Sequence, residues 1–257
     1  MPRHSIRNKC ILITGATSGL GRALALALAG GGNTVVVTGR RAALLETLAL
    51  EIQALGGHCI TAAVDATDTV AVANHLQDVI GRVGRIDIAI LNAGGGAAHS
   101  LADPATDAAF VLDMMQKNYA TLVNYLCPLI DHMRDHGGTI AWTGSPAGMF
   151  GLPKSGGYSA AKAAGRMLFD TARIELAHTR IRFVALYPGF TLTEGLNPKD
   201  VPHPALIIQT DRAVAEMVWA IERQKSHHIF PRRIAWPIRF ARLLPEPLRR
   251  RLLQLGL

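Results

Sequence analysis

The sequence predicts one doubly wound α/β domain, a parallel sheet of about seven strands with helices on both faces. Three observations carry that prediction. Strand-like and helix-like segments alternate from the start, the strand candidates are short apolar and β-branched runs, and a glycine-rich loop joins the first strand to the first helix. With 257 residues, 49% apolar and 5% aromatic, the chain can bury a full core. No linker rich in Pro, Ser or Gly separates two periodic regions, so a single domain is expected.

Strands are predicted at Cys10 to Thr14, Thr34 to Thr38, His58 to Val64, Ile86 to Leu91, Thr139 to Thr143, Ile181 to Leu186 and His228 to Phe230. The first helix, Leu20 to Ala29, is rich in Ala and Leu and closes on Gly30-Gly31-Gly32. Further helices are predicted at Ala42 to Leu55, Thr69 to Val83, Ala108 to His136, Tyr158 to His178 and Asp211 to Gln224. The helices from 108 and from 158 are long and carry apolar residues on more than one face, among them Val111, Val123, Met167 and Ile174. One sheet contact needs fewer, so a subunit interface is expected, in a homodimer or homotetramer.

The 27 Lys and Arg exceed the 19 Asp and Glu, for a net charge of +8. Residues 225–257 hold eight basic residues against the single Glu246, a net of +7, which leaves +1 for the rest. The basic character is that of a tail, so no specific nucleic-acid partner is expected, only weak, salt-dependent association. Cys10, Cys59 and Cys127 stand far apart without a disulfide framework, and the segment before Gly15 is too short for a signal peptide or a membrane span. A reducing cytoplasm fits both. The histidines show no metal spacing, and no metal is expected.

Two constellations carry chemistry. In Thr14-Gly15-Ala16-Thr17-Ser18-Gly19-Leu20-Gly21, glycines at 15, 19 and 21 let the backbone approach a pyrophosphate. The helix that starts there offers free N–H groups and a partial positive charge, so a dinucleotide is expected. After the second strand comes Gly39-Arg40-Arg41, where a cofactor lacking a 2′-phosphate usually meets Asp or Glu. Arginine favours the phosphorylated form, so NADP(H) is preferred over NAD(H).

The second constellation is Ser145, Tyr158 and Lys162, with Asn118 upstream. Tyr158 and Lys162 stand four apart on one face of a predicted helix. Bringing a phenol from pKa ~10 to ~7 takes roughly 4 kcal/mol. One ammonium ~4 Å away supplies about that at an effective dielectric of ~20.

The ordered set Thr14-Gly15-x-x-x-Gly19-x-Gly21, Asn92-Ala93-Gly94, Asn118, Ser145, Tyr158-x-x-x-Lys162 and Pro188-Gly189 resembles the short-chain dehydrogenase/reductase family, from about Lys9 to about Phe230. The resemblance implies a Rossmann fold over residues 1–230 and an oxidoreductase that interconverts a ketone and a secondary alcohol. It implies Tyr158 as acid/base, Lys162 lowering its pKa and holding the nicotinamide ribose, Ser145 bonding the carbonyl, and Asn118 positioning a relay water. It also implies that Asn92, Ala93 and Gly94 lie beside the adenine-ribose side of the cofactor, Asp65 and Ala66 at the adenine, and Pro188, Gly189, Thr191 and Thr193 at the nicotinamide carboxamide. Leu91 and Gly144 stand where the family usually has a second Asn and a second Ser, and Pro146 after Ser145 is unusual enough to shift the hydroxyl. The alternative is a regulator of the same fold that binds cofactor with little turnover, against which the full set of Tyr158, Lys162, Ser145 and Asn118 argues.

Residues 190–208 carry Pro198, Pro202 and Pro204 among apolar residues, and match the family's variable substrate lid. With Met149, Phe150, Leu152 and Pro153 they suggest a cleft for an apolar, lipid-like substrate. Residues 231–257 form a basic, amphipathic C-terminal extension in which arginines alternate with Trp236, Phe240 and leucines. Two destinations fit that composition: peripheral contact with an anionic membrane through residues 232–257, or packing on the same subunit or its neighbour.

Overall fold

In the computed structural model, residues 4–96, 99–103, 106–201 and 203–254 are described. Pro202 of the expected lid, Ala97 and Ala98, and residues 1–3 and 255–257 lie outside them. Seven strands form one sheet: β1 (Cys10–Thr14), β2 (Thr34–Gly39), β3 (His58–Ala63), β4 (Ile88–Leu91), β5 (Gly138–Thr143), β6 (Ile181–Pro188) and β7 (His227–Phe230). Their order is β3-β2-β1-β4-β5-β6-β7, and every pairing is parallel. The chain winds outward from β1 to β3, then returns to β4 on the other side of β1. That reversal opens a crevice at the carboxyl ends of β1 and β4, the place where such sheets bind ligands.

Parallel strands covered on both sides read as continuous apolar runs, because both faces of each strand are buried. Along β1, Ile11 and Ile13 point into one core and Leu12 into the other. The first core packs Val35 and Val37 against α1 (Gly19–Leu28), α2 (Ala42–Ala54) and α7 (Thr210–Glu222). The second packs Val36, Ala89 and Trp142 against α3 (Thr69–Val83), α5 (Thr121–Met133) and α6 (Gly156–Glu175). At the N-terminus of α3, the Asp68 carboxylate accepts from Val70 N at 3.0 Å and Ala71 N at 2.9 Å, replacing bonds the first turn lacks.

The long helix predicted over 108–136 is interrupted. It runs as α4 (Ala108–Met115), one π-helical turn at Gln116–Ala120, and α5, which ends at Met133. Gly137, at φ +75°, closes it by donating to Met133 O at 2.9 Å. The π turn has a tertiary cause. Asn118, 1% exposed, is drawn inward to bond the backbone of Gly95, and the Thr121 hydroxyl donates to Lys117 O at 3.0 Å.

The tail packs on its own chain. Helix α8 (Arg232–Ala241) buries Ala235, Ile238 and Ala241, and α9 (Glu246–Gln254) buries Leu253.

Helix α6 comes close to the sheet at Gly165, where an added Cβ would lie 2.7 Å from Trp142 Cζ2 and 3.1 Å from Leu122 Cδ2. Both neighbours are fully buried and have nowhere to move. Alanine gains roughly 1 kcal/mol of helix propensity there, while overpacking costs about 1–3 kcal/mol. Gly165→Ala is therefore expected to be net destabilising, by up to about 2 kcal/mol, read as a lower urea midpoint at unchanged m-value.

Candidate active site

The crevice is built from three loops that hydrogen-bond one another. The Thr14 hydroxyl, at the end of β1, accepts from Asn92 N at 3.0 Å and Ala93 N at 2.9 Å, both just past β4. The Asn92 side chain donates to Gly15 O at 3.4 Å and accepts from the Thr143 hydroxyl at 3.1 Å. The approach tolerates no side chain. A Cβ on Gly15, itself at φ +67°, would sit 2.8 Å from Ala93 Cα, and one on Gly21 would sit 2.2 Å from Gly15 O.

This loop opens α1, whose first N–H groups have no partner within the helix. Gly19 N donates to a carboxylate oxygen of Glu194 at 2.9 Å, so an anion already stands at the helix end. Thr193, one residue earlier, faces Gly19, and Leu20 turns into the first core. A cavity of about 330 Å³ lies alongside, between Gly19, Arg22 and Ala23 on α1 and Leu192, Thr193, Glu194 and Thr210 opposite. The cradle cleared of Cβ atoms and the anion at its helix end both suit a pyrophosphate.

At the end of β2, Arg41 Nη2 donates to the hydroxyls of Thr17 at 2.7 Å and Ser18 at 2.9 Å. Arg40 is exposed beside Asp65. Two hydrogen bonds from Thr67 hold the Asp65 carboxyl below its usual range, and the Arg40 charge adds to the effect. Ala66 accepts from Asn124 Nδ2 at 3.0 Å, which fixes this rim to α5.

Helix α6 brings Tyr158 and Lys162 to the crevice, and the turn after β5 brings Ser145. The Ser145 hydroxyl stands next to the Tyr158 phenol and acts to lower its pKa. Ser145 also caps the 3-10 turn Pro146–Gly148, accepting from Ala147 N at 3.2 Å. Pro146 takes the first position of that turn, where no N–H is needed, and leaves the hydroxyl in reach of Tyr158. Lys162, 4% exposed, donates to Thr143 O at 2.9 Å, and its Nζ stands 5.6 Å from the Tyr158 ring centre. Gly148 packs on the Lys162 backbone, where a Cβ would come within 2.7 Å.

The electrostatics differ from the sequence expectation of an acidified phenol. Burial pushes the Tyr158 pKa up, and only the Ser145 hydrogen bond pulls it down. Burial also brings the Lys162 ammonium down to about 8. The lysine bonds a carbonyl rather than the phenol, and both groups pay for desolvation.

Asn118 Nδ2 donates to Gly95 O at 2.7 Å and Met114 O at 3.1 Å, and Oδ1 accepts from Gly95 N at 3.1 Å. Among the described residues these bonds use both amide protons and one of two oxygen lone pairs. They hold Gly94 to Gly96 in place. A Cβ on Gly94 would meet Asn118 Oδ1 at 2.7 Å, and one on Gly96 would meet the Tyr158 ring at 3.2 Å. Across the crevice, Pro188 ends β6, Gly189 N donates to Phe230 O at 2.8 Å, and the buried Thr191 hydroxyl donates to Gly189 O at 3.1 Å. Residues 190–208 are closed at their base, with Leu192 N bonding Ile208 O at 2.9 Å and Ile208 N bonding Phe190 O at 2.8 Å.

Two contributors escaped the sequence reading. Glu194 carried no motif. Thr143 holds Lys162 through its main-chain oxygen, which any residue would supply, and Asn92 through its hydroxyl. His99, not exposed in its loop, accepts from Gly157 N at 3.2 Å in the first turn of α6. Met149, expected in the cleft, packs against the second core.

The family model for short chain dehydrogenase matches residues 9–201. An uncharacterized oxidoreductase of Myxococcus xanthus is 33% identical over 239 residues, covering 92% of this chain and 93% of its own. A short chain dehydrogenase/reductase of Burkholderia phymatum, solved in complex with NAD, superposes with a TM-score of 0.83 at 20% identity, covering 93% of this chain and 95% of its own. An alcohol dehydrogenase of the archaeon Thermococcus sibiricus, complexed with 5-hydroxy-NADP, gives 0.75 at 24% identity, covering 86% and 95%. The chain belongs to the short-chain dehydrogenase/reductase family, oxidoreductases that act on CH–OH or C=O groups with NAD(P).

Glu194 places a negative charge where a pyrophosphate would add more. Charge at a helix N-terminus is worth about 0.3–1 kcal/mol, so Glu194→Gln is expected to tighten dinucleotide binding about two- to fivefold. Equilibrium titration of the protein's fluorescence with dinucleotide measures this, and unchanged or weaker binding would contradict it.

Proposed function

We propose that this protein is an NADP(H)-dependent oxidoreductase that interconverts a ketone and a secondary alcohol, with Tyr158 as acid/base. The observation that carries the reading is the pair of neighbouring hydroxyls, Ser145 and Tyr158, beside the buried Lys162 ammonium, whose Nζ stands 5.6 Å from the Tyr158 ring centre. The cofactor, when bound, supplies or accepts the hydride.

The chain's own residues handle the oxygen and the proton. A carbonyl oxygen entering between Ser145 and Tyr158 takes both hydroxyls as donors. Burial keeps the phenol neutral at pH 7, so Tyr158 holds the proton that reduction requires. Ser145 stabilises the charge that develops before the proton arrives. Lys162, with its pKa near 8, is mostly charged at neutral pH and stabilises the phenolate left behind. The same ammonium would hold the nicotinamide ribose of a bound cofactor. Asn118 holds the Gly94–Gly96 backbone behind Tyr158 and offers its remaining lone pair to a relay water.

Gly15, Thr17, Ser18, Gly19, Leu20 and Gly21 would cradle the pyrophosphate, and Asn92, Ala93, Gly94, Asp65 and Ala66 would flank the adenosine half. Pro188, Gly189, Thr191 and Thr193 hold the carboxamide. Arg40 and Arg41 favour a 2′-phosphate, which supports NADP(H) over NAD(H). A cytoplasmic NADPH pool kept reduced favours carbonyl reduction, and the apolar side chains of residues 190–208, such as the exposed Leu192, favour a lipid-like ketone. Leu112 on α4 and Met167 and Ile174 on α6 stay exposed, which suits coverage by a second copy in a homodimer or homotetramer.

A screen of keto-lipids, keto-steroids and small ketones, followed by NADPH absorbance, tests the reaction. Tyr158→Phe is expected to lower kcat at least about 100-fold while dinucleotide affinity holds; undiminished reduction by that variant would refute the assignment. Loss of one hydrogen bond to a charged group costs roughly 1.5 kcal/mol or more. Arg40→Ala should accordingly cut the NADP-to-NAD preference about tenfold. Measured preference for NAD in the unaltered protein would overturn the cofactor choice.

A further inference from the structure

We propose that the outer face of α8 is a docking surface for an anionic lipid bilayer. Helix α8 separates its residues sharply by face. Ala235, Ile238 and Ala241 are buried against the protein, and on the opposite side Trp236 is 66% exposed and Phe240 59% exposed. Leu243, in the turn that follows, is 83% exposed. Positions 236, 240 and 243 follow the i, i+4, i+7 spacing, which aligns them along one helix edge. Packing on this chain has consumed one face and left the larger side chains outward.

Arginine surrounds that apolar line. At 100° per residue, Arg232 and Arg239 flank it on one side and Arg233 on the other. All three are exposed, and the Arg239 guanidinium lies 5.8 Å from the Trp236 ring centre. Among the described residues no ion pair neutralises the arginines of residues 225–254. A Trp at headgroup depth, with Phe and Leu below it and uncompensated arginines around them, fits an interfacial seat on anionic lipid.

The charge also selects among occupants. A second copy docking through this same patch would set two clusters of net +7 against each other. The rest of the chain carries +1, so a second copy has no net negative charge to offer this cluster. A bilayer carrying anionic headgroups supplies both the missing negative charge and an apolar phase. Among the described residues no helix is long and apolar enough to cross a membrane, so contact is at the surface. The seat adjoins the substrate side: Arg233 donates to Ile207 O at 2.8 Å, and Ile234 packs on Gly189.

The inference goes beyond the reaction proposed above, and its test involves no turnover. The full chain is floated with phosphatidylcholine vesicles and with roughly 3:1 phosphatidylcholine–phosphatidylglycerol vesicles at about 0.15 M ionic strength. Flotation with the anionic vesicles alone is expected, with a blue shift of tryptophan emission. Trp236→Ser/Phe240→Ser should lower partition at least about tenfold without changing melting temperature or dinucleotide affinity. Leu50→Ser, at an exposed leucine of α2, should leave partition unchanged. No flotation, equal partition onto neutral vesicles, or undiminished flotation of the double variant would overturn the proposal. So would a double variant that alters only the oligomeric state.

Discussion

The site depends on the close approach of two loops, the one after β1 and the one after β4. Their spacing is set by a single hydroxyl, Thr14, which accepts from two consecutive main-chain donors, Asn92 N and Ala93 N. From there a continuous path runs toward the reacting groups. Asn92 links Gly15 O to the Thr143 hydroxyl, and the Thr143 carbonyl takes the Lys162 ammonium. Lys162 then stands beneath the Tyr158 ring, with the Ser145 hydroxyl next to the phenol. The glycine loop, the turn after β4, the end of β5 and Lys162 on α6 are thus joined by hydrogen bonds, and Tyr158 adjoins that unit through its ring.

Burial decides the electrostatics of that unit. A Coulomb argument from the four-residue spacing gives the lysine's attraction for a phenolate but omits the cost of taking both groups out of water. In the structure that cost is the larger, since it raises the Tyr158 pKa and lowers that of Lys162 to about 8. A neutral phenol beside a still mostly charged lysine is well prepared to give a proton, and less well prepared to take one. That balance is set by how far each group is removed from water, not by their spacing along the helix.

The fold was largely legible because parallel strands buried on both faces leave plain apolar runs, and because glycines at 15, 19 and 21 mark a backbone that must come close to something. Strand ends moved by only a residue or two. The single long helix from 108 was wrong for a definite reason. Periodicity reports which residues are apolar, whereas the π turn at Gln116–Ala120 arises from Asn118 reaching Gly95, a contact 23 residues away in sequence. The residues of the candidate site were legible by type and spacing, but their partners were not. Glu194 at Gly19 N, and the Thr143 carbonyl under Lys162, depend on main-chain atoms that carry no residue code.

The segment over the crevice shows how the pieces combine. Near its start, Glu194 is held by the N-terminus of α1. Near its end, the Ile207 carbonyl is held by Arg233 of α8. Both are charge-assisted bonds at exposed positions, weak enough to exchange with solvent or ligand and strong enough to set a resting position. One is in competition with any phosphate that approaches the glycine loop, and the other belongs to the helix with the outward-facing Trp236. The 190–208 segment is therefore tethered at one end to the cofactor cradle and at the other to the most exposed apolar face of α8. Both bonds fall on the same short stretch of chain, and each costs little to break.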